Sequence, residues 1–576
     1  MGRLQRRRLT LLPWADEWTA RRLPRQEGIM NGIDYIVSIL KEEGVESITC
    51  FPTNPVIEAA AKVGIRPVMF RHERGAVMAA DGFSRTSDRQ RFGVVAVQSQ
   101  AGAENAMGGI AQAYADNIPI LGLPGGVLRS QISVRPNFSA AANYGGIAKH
   151  VEAIYDPGQV GDVMRRAFHH LRNGAPGPVV VELTADACHQ EVPERGLSYR
   201  SPKAAVQCPT TGDLRDAARL LLEAKKPLIW AGGGVLLAGA TEELRTLSEL
   251  SGVPVFCTMP GKSAMNETHP LALGAGSGMT TLAAHRWLKE CDVLLCLGSS
   301  LTRTPYGQRI HPGKTLIQNT NNPDEINKDE SVDLALVGDA KLVIEGLIDE
   351  VKARVGEEGV GDAAEVKAEI AALRAEWLET WNPLLHSNET PLNTYRVIHE
   401  IDTVLDRDNS MVTHDAGAPR DSMVPFYTAT TPHSYIGWGK TTHLGFGIPL
   451  MIGAKLAHPD RFCLNLMGDG AFGMSGLDIE TSVRAGLPIT TVLLHNEGMA
   501  TYPEGFFPVA REEFGVSKMQ GDYAKIAEGM GAVGITVREV DEMAPALRSA
   551  QELNADGQTV LIDVHSNMEG RRSAFR

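Results

Sequence analysis

Two stretches constrain this chain more than any others: residues 464–472 (Leu464-Asn465-Leu466-Met467-Gly468-Asp469-Gly470-Ala471-Phe472) and residues 490–498 (Thr490-Thr491-Val492-Leu493-Leu494-His495-Asn496-Glu497-Gly498). Each begins as an apolar run and ends in small or polar residues, the pattern of a buried parallel strand. Between them, residues 476–485 place Leu477, Ile479 and Val483 at helical spacing and stop at Gly486-Leu487-Pro488. The unit reads as β-α-β. In such sheets ligands bind beyond the carboxyl ends of the strands, which is where Asp469 and Asn496 fall.

A carboxylate and an amide carbonyl suit a hard cation, and two such ligands suggest Mg²⁺ shared with a phosphate rather than a cage built by protein alone. Gly468 and Gly470 let the backbone approach an anion closely, and the helix that follows offers N–H groups to a diphosphate. A Gly-Asp-Gly string alone is common in strand-helix turns. The asparagine that closes the next strand is what favours a metal-diphosphate site.

Gly468-Asp469-Gly470 followed by Asn496 resembles the signature of thiamine-diphosphate enzymes, and residues from about 30 to the end are similar to the acetolactate synthase-like branch of that family. The resemblance implies three α/β domains, each a doubly wound parallel sheet: pyrimidine-binding, central Rossmann-like and diphosphate-binding. It implies thiamine diphosphate and Mg²⁺ as cofactors, with Asp469, Asn496 and the backbone of Gly498 on the metal. Gly417, Ala418, Gly468, Gly470 and Ala471 then lie along the cofactor, and Leu444 matches the large apolar residue that wedges it into a bent form. The family often repeats the asparagine where this chain has Glu497; a backbone ligand at Gly498 tolerates that change.

The first third of the chain alternates helix and strand, with strands expected at 45–51, 67–70, 92–97 and 177–183. By itself Glu73, where a strand gives way to a helix, reads as a helix-dipole or capping carboxylate. The string Arg71-His72-Glu73-Arg74-Gly75-Ala76, with Ala79-Ala80-Asp81-Gly82-Phe83-Ser84-Arg85, is similar to the family string that holds its one essential glutamate. That resemblance makes Glu73 the catalytic residue, a proton donor to the pyrimidine that lets the coenzyme's own amino group deprotonate its thiazolium carbon. His72 reads as a structural strand-end histidine. Asn105 matches the family's Gly-Pro-Gly-Ala-Thr-Asn loop, whereas Gln100, Ala101 and Glu104 depart from it. Pro52-Thr53-Asn54 replaces a usual Pro-Gly-Gly, and the family glutamine is missing from Asn137-Phe138-Ser139-Ala140-Ala141.

Strands at 227–231, 253–256, 293–297 and 315–318 make the middle Rossmann-like, yet the dinucleotide fingerprint fails because Leu237 stands where its third glycine belongs. Gly261-Lys262-Ser263 and Gly439-Lys440-Thr441 are not P-loops, since Phe256 and Ser434 occupy the required glycine positions. Relatives hold FAD, ADP or nothing in this domain, so FAD or ADP is a possible further cofactor and a structural role is the alternative. Lys440 and His443 suit a substrate carboxylate or thioester.

The expected divisions are a basic, disordered extension at 1–29 (Arg3, Arg6, Arg7, Arg8, Arg21, Arg22, Arg25), the pyrimidine domain at 30–195, a linker at 196–213, the central domain at 214–354, a helical linker at 355–394 and the diphosphate domain at 395–576. A net charge of -13 gives no general attraction to nucleic acid or an anionic membrane. The 7 cysteines have no spacing that suggests zinc or a disulfide framework, and a reduced cytoplasm is the simplest compartment. The expected activity is a carboligase or decarboxylase acting on a 2-oxo acid through a C2 ylid and an enamine, with Glu73 and Asp469 supplied by different chains of a homodimer or homotetramer. The altered loop and missing glutamine keep a 2-hydroxyacyl-CoA lyase or benzoylformate decarboxylase-like lyase as an alternative. A catalytically idle cofactor-binding subunit is the remaining one.

Overall fold

The computed structural model describes residues 30–89, 91–500, 502 and 505–575; the extension expected at 1–29 lies outside the described residues. Three six-stranded sheets follow one another along the chain, and every paired strand runs parallel to its neighbour. The first holds β1 (Ser47–Phe51), β2 (Arg66–Met69), β3 (Gly93–Val97), β4 (Ile120–Pro124), β5 (His150–Ile154) and β6 (Val179–Leu183). The second holds β7 (Pro227–Ala231), β8 (Val255–Thr258), β9 (Ala272–Gly276), β10 (Val293–Leu297), β11 (Thr315–Thr320) and β12 (Leu334–Val337). The third holds β13 (Ser410–His414), β14 (Tyr435–Ile436), β15 (Phe462–Gly468), β16 (Thr490–His495), β17 (Val533–Val537) and β18 (Val560–His565).

The spatial orders are β2-β1-β3-β4-β6-β5, β12-β11-β10-β7-β8-β9 and β14-β13-β15-β16-β18-β17. In each sheet the winding reverses beside one strand, opening a crevice at the carboxyl ends between β1 and β3, β7 and β10, or β13 and β15. Strands β3, β4, β6, β10, β13 and β16 are buried at every position, because helices cover both faces of a parallel sheet.

The first and third domains are fused by two helices. Glu73–Arg85 is buried at twelve of its thirteen positions and lies against the apolar helix Gly447–Ala457. Glycines set their approach: a Cβ on Gly82 would stand 2.2 Å from the Leu450 carbonyl oxygen, and one on Gly453 2.0 Å from that of Ala79. Polar residues enclosed there are paired, with Arg85 Nε 2.8 Å from Asp81 Oδ1 and Arg85 Nη2 3.1 Å from Asp116 Oδ2. One hydrophobic cluster accordingly runs from Val68 and Ala79 through Leu450 to Leu493.

Strands β4, β5, β9, β12, β14, β17 and β18 were not separately expected. They are short, and several read as apolar fragments within loops until the sheet pairs them. The helix expected at 476–485 is Asp478–Ala485, and a separate short helix, Asp469–Ser475, precedes it and places Asp469 at a helix start. Lys262 and Lys440 show why the P-loop strings fail: Lys262 is sealed in an ion pair with Glu267 at 2.5 Å, and Lys440 N–H donates to Asp116. All seven cysteines are free, and only Cys208 is exposed. Among the described residues no helix is long and apolar enough to cross a membrane.

Candidate active site

The crevice of the third sheet gathers most of the expected cofactor residues. Strand β15 ends at Gly468, and Asp469 opens the following helix, 4% exposed. Its Oδ1 accepts the Gly470 N–H at 2.8 Å, whereas its Oδ2 is buried with no hydrogen-bond partner among the described residues. Burial raises the carboxyl's pKa; the N–H of Gly470, the nearby His495 and the N–H groups of Glu497 and Asn496 pull it back. An orphaned carboxylate oxygen costs free energy unless something fills the place before it. Asn496 follows β16, and its Oδ1 accepts only the Gly498 N–H, at 3.3 Å. Two unspent oxygens, one anionic and one amide, form a donor set that fits Mg²⁺. A Cβ on Gly468 would meet nothing within 4 Å, so there is room beside the carboxylate. Gly498 is held close to Met568, whose methyl would lie 2.2 Å from a Cβ at that position.

Across the crevice, Gly417 has φ +88°, a conformation that favours glycine, and with Ala418 it begins the helix Ala418–Phe426. The neighbouring Asp415 is a residue the sequence reading passed over. It is fully buried and accepts N–H groups from Ala416 (2.8 Å), Gly445 (3.0 Å) and Gly447 (2.8 Å). Burial pushes its carboxyl up to about 6 against those bonds. Asp415 thereby holds the segment carrying Leu444. Leu444 is 39% exposed, which leaves apolar surface available at the crevice. Asn465 was also missed: it is fully buried in β15, both side-chain polar atoms lack partners, and a Cβ on Gly447 would stand 2.1 Å from its Oδ1. A polar residue between Leu464 and Leu466 in a central strand was the available signal.

Glu73 stands in the first domain, at the start of the helix Glu73–Arg85, and is 4% exposed. Its Oε2 accepts from Asn105 Nδ2 at 3.1 Å, and its Oε1 would lie 3.3 Å from a Cβ on Gly102. The capping role belongs to His72, whose Nδ1 accepts the Arg74 N–H at 3.1 Å. Asn54 serves the sheet, donating to the Val97 and Leu123 carbonyls at 2.9 Å each. Gln100 adopts φ +53° at the start of the helix Ala101–Ala115, so the departure from the family loop carries a strained backbone. His443 Nε2 would lie 2.8 Å from a Cβ on Gly108, and burial, then Arg74, lower its pKa. Among the described residues no hydrogen bond joins Glu73 to the third-domain group.

The crevice of the second sheet is a cavity of about 180 Å³, rimmed by Gly232, Gly233, Gly234 and Gly298 at the ends of β7 and β10. Its wall also includes Arg89 and Asn117 from the first domain and Gly439 and Lys440 from the third.

Three parallel sheets with polar groups at the reversal points, a cation-ready carboxylate in one and a buried glutamate in another, define a cofactor-dependent α/β enzyme. The chain belongs to the thiamine pyrophosphate enzymes: the family's N-terminal TPP binding domain matches residues 30–145, its central domain residues 214–347, and its C-terminal TPP binding domain residues 415–564. Among curated proteins it is 31% identical to the probable acetolactate synthase large subunit of Methanocaldococcus jannaschii over 90% of each chain. It is 30% identical to that of Methanococcus aeolicus over 92% of this chain and 90% of the relative. It is 28% identical to the acetolactate synthase isozyme 3 large subunit of Escherichia coli over 93% and 95%.

Proposed function

We propose that this chain is an acetolactate synthase-like carboligase or decarboxylase that uses thiamine diphosphate and Mg²⁺ on a 2-oxo acid. The observation that carries the reading is the buried, partnerless Oδ2 of Asp469 facing the crevice that also holds the underused carbonyl of Asn496. When bound, thiamine diphosphate supplies a carbon nucleophile for the substrate carbonyl and a sink for the electron pair released on C–C cleavage. Asp469, Asn496 and the Gly498 carbonyl hold the metal. The backbone at Gly417, Ala418, Gly468, Gly470 and Ala471 receives the diphosphate, whose charge suits the N–H groups at the turn. Leu444 would offer the coenzyme an apolar surface to rest on. Asn105 donates to Glu73 Oε2 and fixes the carboxyl group, leaving Oε1 to exchange a proton with the pyrimidine ring.

The cavity between the domains suits FAD or ADP by its glycine rim and position at a reversal point. A homodimer or homotetramer, with Glu73 from one chain facing Asp469 of another, explains why the two groups make no contact within a chain. The seven unpaired thiols suit a reducing cytoplasm. A lyase acting on acyl-CoA or aryl oxo acids is the second reading, favoured by the segment that lacks the family glutamine: Glu182 Oε2 takes Ser139 Oγ at 2.6 Å and Ala141 N at 2.7 Å, tying that segment to the sheet. Incubation with pyruvate, 2-oxobutyrate, benzoylformate and 2-hydroxyacyl-CoA, read by product mass, tests both. Acetolactate or acetohydroxybutyrate is expected; turnover of acyl-CoA or benzoylformate alone transfers the assignment to the lyases. A visible spectrum of the purified protein reports flavin directly.

A further inference from the structure

The loop that carries Glu73 is gripped from the third domain. Asp478 opens the helix Asp478–Ala485, a few residues after Asp469, and is 3% exposed. Its Oδ1 accepts the Arg71 N–H at 3.0 Å and the Thr481 hydroxyl at 3.1 Å. Arg71 belongs to the turn between β2 and the helix Glu73–Arg85. The other carboxylate oxygen fills the place of a missing side chain: a Cβ on Gly75 would stand 2.3 Å from Asp478 Oδ2 and 3.2 Å from its Cγ. Gly75 lies in the first turn of the glutamate's helix, where free N–H groups and the helix dipole favour a negative charge.

Further contacts run along the same junction. Arg74 Nη2 donates to the Met474 carbonyl at 2.9 Å, Arg484 Nη2 to that of Met69 at 2.5 Å and Arg66 Nη2 to that of Ala485. Arg71 pairs with Glu480 at 3.7 Å, an exposed pair of small effect. Asp478 differs from these in being enclosed, so its bond to the backbone beside Glu73 is strengthened by the low local dielectric. From the other side, Asn105 Nδ2 donates to Glu73 Oε2 at 3.1 Å. The glutamate is thus held at its carboxyl by the first domain and at its backbone by the third.

We propose that Asp478 is a positioning residue for Glu73: it fixes the turn at Arg71 and the first turn of the glutamate's helix, and so sets where the proton donor stands. The proposal rests on the thiamine reading of Glu73. Asp478 acts through the glutamate and not on the metal. In a homodimer with shared sites, it therefore serves the site that receives its own chain's Glu73, not the one built on its own chain's Asp469.

The test follows thiazolium C2–H exchange by NMR in the full-length chain loaded with thiamine diphosphate and Mg²⁺. Asp478→Ala is expected to slow exchange about ten-fold or more, the scale of a small misplacement of a reacting group. The coenzyme Kd at fixed Mg²⁺ is expected to stay within about two-fold. Gly75→Ala, whose methyl displaces the carboxylate, is expected to reproduce this pattern. Asp478→Asn, which keeps an oxygen for the Arg71 N–H, restores most of the rate. In a Glu73→Gln background Asp478→Ala slows exchange no further. Unchanged exchange, an equal loss of coenzyme affinity, or full additivity with Glu73→Gln overturns the proposal. Exchange unmoved by Glu73→Gln itself overturns the thiamine reading, and this proposal with it. Mixed dimers of Glu73→Gln and Asp469→Asn chains locate the effect. Asp478→Ala is expected to remove most turnover when added to the Asp469→Asn chain, whose Glu73 is intact, and little when added to the other. The reverse pattern, or equal losses, overturns the proposal. Thermal unfolding confirms the fold of each variant, and Gly75→Ala carries the test if Asp478→Ala does not fold.

Discussion

Glu73 and Asp469 carry opposite expectations under substitution. Glu73→Gln keeps an acceptor for Asn105 but loses the transferable proton. Thiazolium C2–H exchange followed by NMR is expected to slow by about 10²–10⁴-fold with the fold intact; unchanged exchange removes Glu73 from its role. Asp469→Asn is expected to weaken Mg²⁺-dependent coenzyme binding by at least ~10²-fold, since even residues behind metal ligands cost 10- to 100-fold. The coenzyme-free protein is expected to be no less stable, because the substitution removes a buried, partnerless anionic oxygen. A fall in its melting temperature would mark Asp469 as structural. Asp478 gives a pH dependence. Burial holds its carboxyl at about 6, opposed by bonds from Arg71 N (3.0 Å) and Thr481 Oγ1 (3.1 Å). The folded state therefore takes up this proton before the unfolded chain does. Its contribution grows more favourable as pH falls from above 6 towards the ordinary aspartate value near 4 and levels off below that. Asp415, also near 6, adds in the same direction. Melting scans of the coenzyme-free protein are expected to show Asp478→Asn flattening the pH 7-to-5 dependence relative to the wild type; an unchanged slope contradicts the assignment.

At the scale of elements, the contact between the helices Glu73–Arg85 and Gly447–Ala457 leaves little room for change. Gly82→Ala or Gly453→Ala drives a methyl into a facing backbone carbonyl, which no rotamer relieves. Each is expected to cost about 1–3 kcal/mol or more in urea unfolding, whereas Gly529→Ala, with open space around it, is expected to stay within about 1 kcal/mol of the wild type. Equal effects at the two kinds of site would refute the packing account. Neither glycine drew notice as sequence, because nothing near Gly82 or Gly453 says that another helix crosses there. The legible parts were the ones with local grammar. The apolar run into Gly468-Asp469-Gly470 announced both a strand and the helix after it, and the alternation of such units announced parallel sheets. The roles of Asp415 and Asn465 were not legible for the opposite reason, although a polar residue within the apolar run of β15 did mark Asn465 as unusual. Their roles come from Gly445, Gly447 and empty space brought to them by the fold, so no spacing along the chain encodes them. Strand β14, two residues long, exists only because β13 offers it a partner.

At the scale of the whole molecule, a site shared between chains makes a prediction that a self-contained one does not. On the proposed homodimer, mixing denatured Glu73→Gln and Asp469→Asn chains and refolding them together would give dimers of which half are mixed. Each mixed dimer holds one site with both groups intact, so roughly a quarter of the wild-type turnover is expected from two inactive parents. Recovery indistinguishable from zero would mean that both groups act within one chain. The cysteines offer a way to watch the second sheet's crevice during such experiments. Six of the seven are enclosed, and burial pushes the Cys50, Cys188, Cys257 and Cys463 thiols up to about 12, so they are poor nucleophiles in the folded protein. Cys208 alone faces solvent, next to Gln207, whose carbonyl accepts the Asp339 N–H at 2.9 Å on the cavity wall. A maleimide dye therefore attaches to the unaltered chain at one known place, and its fluorescence reports on what enters the space nearby.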